Sequence, residues 1–75
     1  MIYVALLRGI NVGDKNRVKM SQLKSLFQSI DLRNIKTYIN SGNVIFESDN
    51  KPADLKESIE DMIKKELGLT IRVLI

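Results

Sequence analysis

The chain contains no cysteine, no histidine and no tryptophan, and it has a single proline among its 75 residues. Without cysteine it can form neither a disulfide nor a thiolate zinc site. Without histidine it lacks the commonest general base and metal ligand, so serine–histidine and cysteine–histidine catalytic arrangements are excluded within it. Its carboxylates follow no calcium-loop spacing. We therefore expect no metal and no cofactor, and an enzymatic site only if another segment completes it.

Long hydrophobic runs are also absent. The apolar run Ile2–Leu7 is much shorter than the roughly 20 residues of a transmembrane helix, and Arg8 ends it. The N-terminus lacks the charged lead and the small-residue cleavage site of a secretory signal. These features predict a soluble, cytoplasmic protein that does not associate with membranes.

The net charge of +3 is unevenly distributed along the chain. Residues 1–24 carry five basic side chains and one acidic one (+4), whereas the remainder carries seven basic and eight acidic ones (−1). Such a bias can attract phosphate or nucleic acid, although a solvated surface loop is the favoured alternative. The candidate contacts for an anion or a nucleic acid are Arg8, Asn11, Lys15, Arg17 and Lys19.

The loop from Gly9 to Lys19 lies between a predicted strand and a predicted helix, where phosphate-binding loops occur. Its spacing does not fit a P-loop, because three residues separate Gly9 from Gly13 and Asp14 follows. We therefore interpret the glycines as architectural.

Hydrophobic periodicity predicts six elements. Alternation and short apolar runs indicate strands, apolar stripes at helical spacing indicate helices, and Gly68 is expected to end the second helix in a left-handed conformation. The predicted elements are a strand at Ile2–Arg8, a helix at about Met20–Ile30, strands at Ile35–Asn40 and Val44–Ser48, a helix of about 15 residues with Pro52 in its first turn, and a strand at Thr70–Ile75.

This order, β-α-β-β-α-β, predicts an α+β protein with the ferredoxin-like fold, in which residues 1–75 form one small domain. Right-handed crossovers place both helices on one face of a four-stranded antiparallel sheet, with the first and third strands in the centre. The segment Asp31–Asn34 is expected to be the turn between the first helix and the second strand.

The first strand is apolar on both of its faces. Either Tyr3, Ala5 and Leu7 or Ile2, Val4 and Leu6 must then lie on the face that the helices leave open. Contiguous exposed apolar area on a small protein is usually an interaction surface, although scattered apolar residues are the alternative. We expect a second copy of the chain, or a missing C-terminal half, to cover this face.

Two ion-pair patterns are expected. Glu47 is expected to meet Arg8 across neighbouring central strands. Glu60 is expected to pair with Lys56 and Lys64 on the solvated side of the second helix.

Two runs of the sequence are specific enough to indicate a family. They are YVALLRGINVG, Tyr3 to Gly13, and TYINSGNVIF, Thr37 to Phe46, with Lys19-Met20 opening a helix between them. Together they resemble an uncharacterised bacterial family, domain of unknown function 1697. The resemblance covers nearly the whole chain and implies that it is the N-terminal half of a longer protein with a second α+β half. It implies no activity and no catalytic residue.

The leading hypothesis is a structural or interaction domain whose open sheet face is a partner surface. The alternative is a weak RNA- or phosphate-binding module, because the first strand loosely resembles that of the RNA-recognition motif, with Tyr3 as a possible stacking residue. The third strand lacks the basic–glycine–aromatic pattern of that motif. Asn40, Ser41 and Asn43 form a polar cluster at strand ends that suits a small polar ligand or, more simply, turn hydrogen bonds.

Overall fold

The computed structural model describes residues 1–10, 18–38 and 42–75. Its elements follow the predicted order and are β1 (Ile2–Arg8), α1 (Met20–Ser29), β2 (Arg33–Tyr38), β3 (Asn43–Glu47), α2 (Pro52–Leu67) and β4 (Arg72–Leu74).

The four strands form one antiparallel sheet in the order β2-β3-β1-β4. As predicted, β1 and β3 are central. They pair from Ile2 opposite Glu47 to Leu6 opposite Asn43, whereas β4 pairs only with Leu6–Arg8. Among the described residues, Leu6 therefore has a neighbouring strand on both sides, whereas residues 2–5 pair with β3 only.

The second helix, α2, begins and ends at the signals expected from the sequence. Pro52 occupies the first turn of α2, where its missing N–H costs no helical hydrogen bond. Asp54 lies in that first turn and Lys64 and Lys65 in the last turn, which suits the helix dipole. Gly68 ends α2 in the left-handed conformation with φ of 68°, as predicted.

The core lies between the helices and one face of the sheet. Phe46 of β3 is fully buried, and its ring centroid lies 5.8 Å from that of Phe27 of α1. Leu23 of α1 and Ile59 of α2 are buried in the same cluster as the strand residue Val44. Because all the fully buried strand side chains face the helices, both helices cover the same face of the sheet.

The second strand begins earlier than predicted. Arg33 and Asn34, expected in the turn, belong to β2, and the pairing of β2 with β3 contains an irregularity between Arg33 and Lys36. Asp31 and Asn34 adopt positive φ of 64° and 51°, which lets the chain reverse directly after α1. The predicted end of this strand, residues 39 and 40, lies outside the described residues.

The other strand boundaries differ by smaller amounts. The third strand begins and ends one residue earlier than predicted, so that Ser48 follows it. There the buried Ser48 hydroxyl accepts a hydrogen bond of 3.1 Å from the Asn50 backbone N–H. The last strand comprises three residues rather than the predicted six.

Candidate functional site

The sheet face opposite the helices, called here the open face, carries apolar side chains that the helices do not cover. Alternation along each strand places on it Ile2, Val4, Leu6, Tyr38, Ile45 and Leu74. Ile2 is 64% exposed, Val4 50%, Tyr38 52% and Leu74 43%, and the other two are half-buried.

This arrangement decides between the two possibilities left by the sequence of β1. Ala5 and Leu7 are buried against the helices, so Ile2, Val4 and Leu6 face outward. The register then makes the apolar side chains neighbours, because Val4 lies opposite Ile45 and Leu6 lies opposite Leu74.

Charged residues border the apolar part of the open face. Arg8 lies directly opposite Arg72 at the end of the β1–β4 pairing, and both are exposed. Neither guanidinium lies within ion-pair distance of a carboxylate of the described residues. Glu47 lies at the other end, opposite Ile2, and Lys36 lies opposite Ile45. The open face is thus apolar in the middle and basic at one end.

The predicted anion-binding and polar residues divide into described and undescribed positions. Asn11, Lys15, Arg17, Asn40 and Ser41 lie outside the described residues. Of the others, Arg8 and Lys19 are exposed, at the end of β1 and just before α1. Asn43 is half-buried at the start of β3, opposite Leu6 and Tyr38.

Arg72 is a neighbour of Arg8 that the sequence does not predict. The two residues are 64 positions apart, and only the register of β4 brings them together. A basic residue in each of two apolar strands is the available signal, but the sequence alone does not determine how those strands align.

Tyr3 does not occupy the position that a base-stacking residue needs. It lies on the helix-facing side of β1, half-buried, with its ring centroid 5.9 Å from that of Phe46. Its hydroxyl donates a hydrogen bond of 3.1 Å to the Asn50 carbonyl. The RNA-recognition motif stacks bases on the opposite, open face. The position of Tyr3 therefore does not suit the possible role of a base-stacking residue.

The expected pair between Glu47 and Arg8 is also wrong, because the antiparallel register puts these residues at opposite ends of β1. Glu47 instead accepts a hydrogen bond of 2.8 Å from the Asn34 side-chain amide.

Glu60 also has a different partner from the one that helical spacing predicts, which is a lysine of its own helix. Its carboxylate accepts a hydrogen bond of 2.9 Å from the Val73 backbone N–H and so connects α2 to β4.

The described residues hold no group of three or more carboxylates placed to bind a metal ion. Within the same residues, no helix combines the length and the apolar character needed to cross a membrane.

Comparison with known proteins supports the fold and the family resemblance. The family model described as a protein of unknown function, DUF1697, matches residues 1–75. The solved structure of the conserved bacterial protein SP0830 from Streptococcus pneumoniae is 36% identical, with a TM-score of 0.81 over 97% of this chain. The match covers 42% of that protein, so this chain spans about two-fifths of its length. The comparison with curated proteins finds no match.

Proposed function

We propose that this chain, which belongs to the DUF1697 family of proteins of unknown function, is a protein-interaction domain whose open face packs against a further layer of polypeptide. The occupant that we propose is the remaining part of a longer protein. The conserved protein from Streptococcus pneumoniae supports this choice, because more than half of its chain lies outside the region that this domain matches.

The observation that carries the proposal is the contiguous apolar surface on β1, β3 and β4. When one face of an antiparallel sheet is exposed to water, the side chains along each strand normally alternate between apolar on the buried face and polar on the exposed face. Here three successive outward positions of the central strand, Ile2, Val4 and Leu6, are all apolar, and their cross-strand neighbours Ile45 and Leu74 extend the surface. Burial of such side chains contributes about 25 cal/mol per Å² of apolar area, which favours a covering layer.

The proposal predicts that the 75-residue chain on its own binds a hydrophobic dye or associates weakly with itself. The informative variant is Ile2→Thr with Val4→Thr, which keeps β-branched side chains in β1 while making the open face polar. Met20→Gln is the matched control, because Met20 is also exposed (42%) but lies on α1.

Dye fluorescence and sedimentation velocity measure the outcome. We expect dye binding and self-association to fall in the β1 variant and to be unchanged in the Met20 variant. A monomeric chain that binds no dye would contradict the interaction domain. A tight, discrete dimer formed through the open face would support the open face as the interaction surface, but its occupant would then be a second copy of the chain rather than the rest of a longer protein.

A second candidate function, weak RNA binding through phosphates, is favoured by the juxtaposition of Arg8 and Arg72. Like charges directly opposite each other on neighbouring strands are destabilising, and an anion between them would remove that repulsion. These residues border the same end of the sheet as the Gly9–Lys19 loop, since Arg8 directly precedes it.

Fluorescence polarisation with a short mixed-sequence RNA over a range of salt concentrations tests this candidate. Removing one side chain that binds a phosphate should reduce the slope of log affinity against log salt by about 0.7 for a single strand. We expect this reduction for Arg72→Gln, and loss of binding for Arg17→Ala with Lys19→Ala. Lys56→Gln on α2 serves as the control. Affinity that does not depend on salt would argue against RNA binding.

A further inference from the structure

We propose that the groove between α1 and the outer edge of β2 binds an extended, acidic segment of a partner protein, which joins the sheet as a further strand. This edge is the one farthest from β4, because the strand order is β2-β3-β1-β4. The proposal concerns backbone groups and lysines at this edge. It is therefore independent of the open face and of the juxtaposition of Arg8 and Arg72.

The direction of the backbone groups in the sheet follows from one hydrogen bond. The Leu7 N–H donates to the Gly42 carbonyl at 2.8 Å, and the register makes these two residues opposite each other, since Leu6 lies opposite Asn43. Backbone groups alternate in direction along an antiparallel strand. Even-numbered residues of β3 thus direct their N–H and C=O groups toward β1, and odd-numbered residues direct theirs toward β2.

The same alternation leaves three backbone groups of β2 directed outward. Lys36 lies opposite Ile45 and Tyr38 lies opposite Asn43, so the N–H and C=O groups of Lys36 and Tyr38 face β3. The peptide groups are planar and trans, so the Ile35 C=O, the Thr37 N–H and the Thr37 C=O point the other way. Among the described residues no strand lies beyond β2. Outward groups of this kind are matched by the backbone of an added extended segment.

Helix α1 forms the wall of the groove beside this edge. Lys24 and Gln28 are four positions apart on α1, so they lie on the same side of the helix, and both are exposed. A strand added at the usual spacing of about 4.8 Å from β2 would run alongside them. The groove has a volume of about 520 Å³ and is lined by Lys24, Gln28, Asn34, Ile35, Lys36 and Glu47.

The charges of the lining favour an acidic segment. Lys24 and Lys36 are exposed, and neither ammonium group lies within ion-pair distance of a carboxylate of the described residues. The single carboxylate of the lining, on Glu47, already accepts a hydrogen bond of 2.8 Å from the Asn34 side-chain amide. The groove is therefore positive, with one cation on the helix and one on the strand.

The same charges disfavour a second copy of the chain as the occupant. Lysine on an edge strand and bulges are usual means by which proteins prevent the pairing of identical edges. Two copies of this edge would bring positive linings together, and like charges on neighbouring strands are destabilising. The irregularity between Arg33 and Lys36 also limits regular pairing to the part of β2 that follows it. The edge thus suits a short acidic segment better than a copy of itself.

An NMR titration of the 75-residue chain with the capped peptide Thr-Glu-Thr-Glu-Thr-Glu tests the proposal. Threonine favours an extended backbone, and glutamate supplies the acidic side chains. At saturating peptide we expect the hydrogen exchange of the Thr37 amide to slow at least about fivefold. The Lys36 and Tyr38 amides should change less, because they already face β3.

Two control peptides separate the contribution of the backbone from that of charge. The acidic peptide N-methylated at every residue keeps its charge but has no N–H to donate to the Ile35 and Thr37 carbonyls. The peptide Thr-Lys-Thr-Lys-Thr-Lys keeps the backbone and reverses the charge. We expect neither control to slow the exchange of the Thr37 amide at the concentration at which the acidic peptide saturates.

A pair of variants tests the helix wall. Lys24→Gln should weaken binding of the acidic peptide about two- to fivefold, as expected for an exposed ion pair. Lys56→Gln, at an exposed position of α2, is the matched control and should leave the affinity unchanged.

Several results would overturn the proposal. They are the absence of Thr37 protection, equal binding of all three peptides, and equal affinities of the two lysine variants. Slow exchange of the Thr37 amide without peptide would do so as well. If that protection increased with protein concentration, a second copy would be the occupant instead. None of these measurements depends on dye binding or on Ile2 and Val4, so this proposal and the proposed role of the open face can fail separately.

Discussion

Replacing Gly42 by alanine is expected to destabilise the domain considerably more than replacing Gly68 by alanine, although the two glycines have nearly the same backbone conformation. Their φ angles are 69° and 68°. In both positions an alanine would incur the cost of the left-handed region, about 1–2 kcal/mol. In both, alanine would also reduce the entropy of the unfolded chain, which offsets up to about 1 kcal/mol.

The two sites differ in the space available for a methyl group. A Cβ atom on Gly68 would meet no heavy atom within 4 Å. A Cβ atom on Gly42 would lie 2.6 Å from the Leu7 carbonyl oxygen, and this atom belongs to the backbone of the central strand β1. The chain cannot relieve the contact by a side-chain rotation, and the 2.8 Å hydrogen bond from the Leu7 N–H to the Gly42 carbonyl resists separation.

The magnitude follows from adding the steric cost to the conformational cost. Forcing additional atoms into a packed region typically costs about 1–3 kcal/mol. We therefore expect about 1 kcal/mol for Gly68→Ala and about 2–4 kcal/mol for Gly42→Ala. A domain of this size has a free energy of unfolding of about 4–11 kcal/mol, so the second variant loses a large part of it.

Urea denaturation followed by circular dichroism measures both variants against the unmodified chain. For small proteins the slope is about 1–3 kcal/mol per M, so the two midpoints should be well separated. Equal midpoints for Gly42→Ala and Gly68→Ala would refute the steric argument, because the conformational cost is common to both. A midpoint of Gly42→Ala above that of the unmodified chain would refute the left-handed assignment as well.

Three further substitutions test individual interactions. Glu60→Ala removes the acceptor of the Val73 N–H and should lower the free energy of unfolding by about 1–2 kcal/mol. As a control, Asp61→Ala at the neighbouring exposed position should change it by less than about 0.5 kcal/mol. Equal decreases of the two variants in thermal melts would mean that the Glu60–Val73 hydrogen bond contributes nothing. Asp31→Gly relieves a positive φ of 64° and should stabilise the domain by up to about 1 kcal/mol in urea titrations, so a destabilised variant would contradict that backbone assignment. Phe46→Leu removes two ring interactions from a fully buried site and should cost about 1–3 kcal/mol; a cost below about 0.5 kcal/mol would contradict its central place in the core.

The parts of the fold that the sequence predicts best are those specified by local signals. The first strand has the predicted bounds because a glycine follows its apolar run, and α2 begins at Pro52 and ends before Gly68 because both residues act locally. The start of β2 is not predicted, for the opposite reason. Asp31 and Asn34 adopt positive φ without being glycine, and composition alone does not identify such residues.

Interactions between distant residues are predicted less well. Glu47 and Arg8 both belong to central strands, which favours a pair between them, but the pair depends on register, and the register puts them at opposite ends. Helical spacing alone pairs Glu60 with lysines, although its partner is a backbone N–H of another element. Alternation along β1 reduces the open face to two possibilities, and only the packing of the helices distinguishes them.

The register of β1 against β3 connects these observations. The Leu7–Gly42 hydrogen bond sets which residues of β1 face β3, and the same register buries Ala5 and Leu7 under the helices. A slip of one residue would move Tyr3 and Ala5 to the open face and direct their amides away from β3. The apolar open face is therefore a consequence of strand register. It results from the alignment that the close approach of Gly42 to β1 permits, so disturbing that alignment should alter the open face.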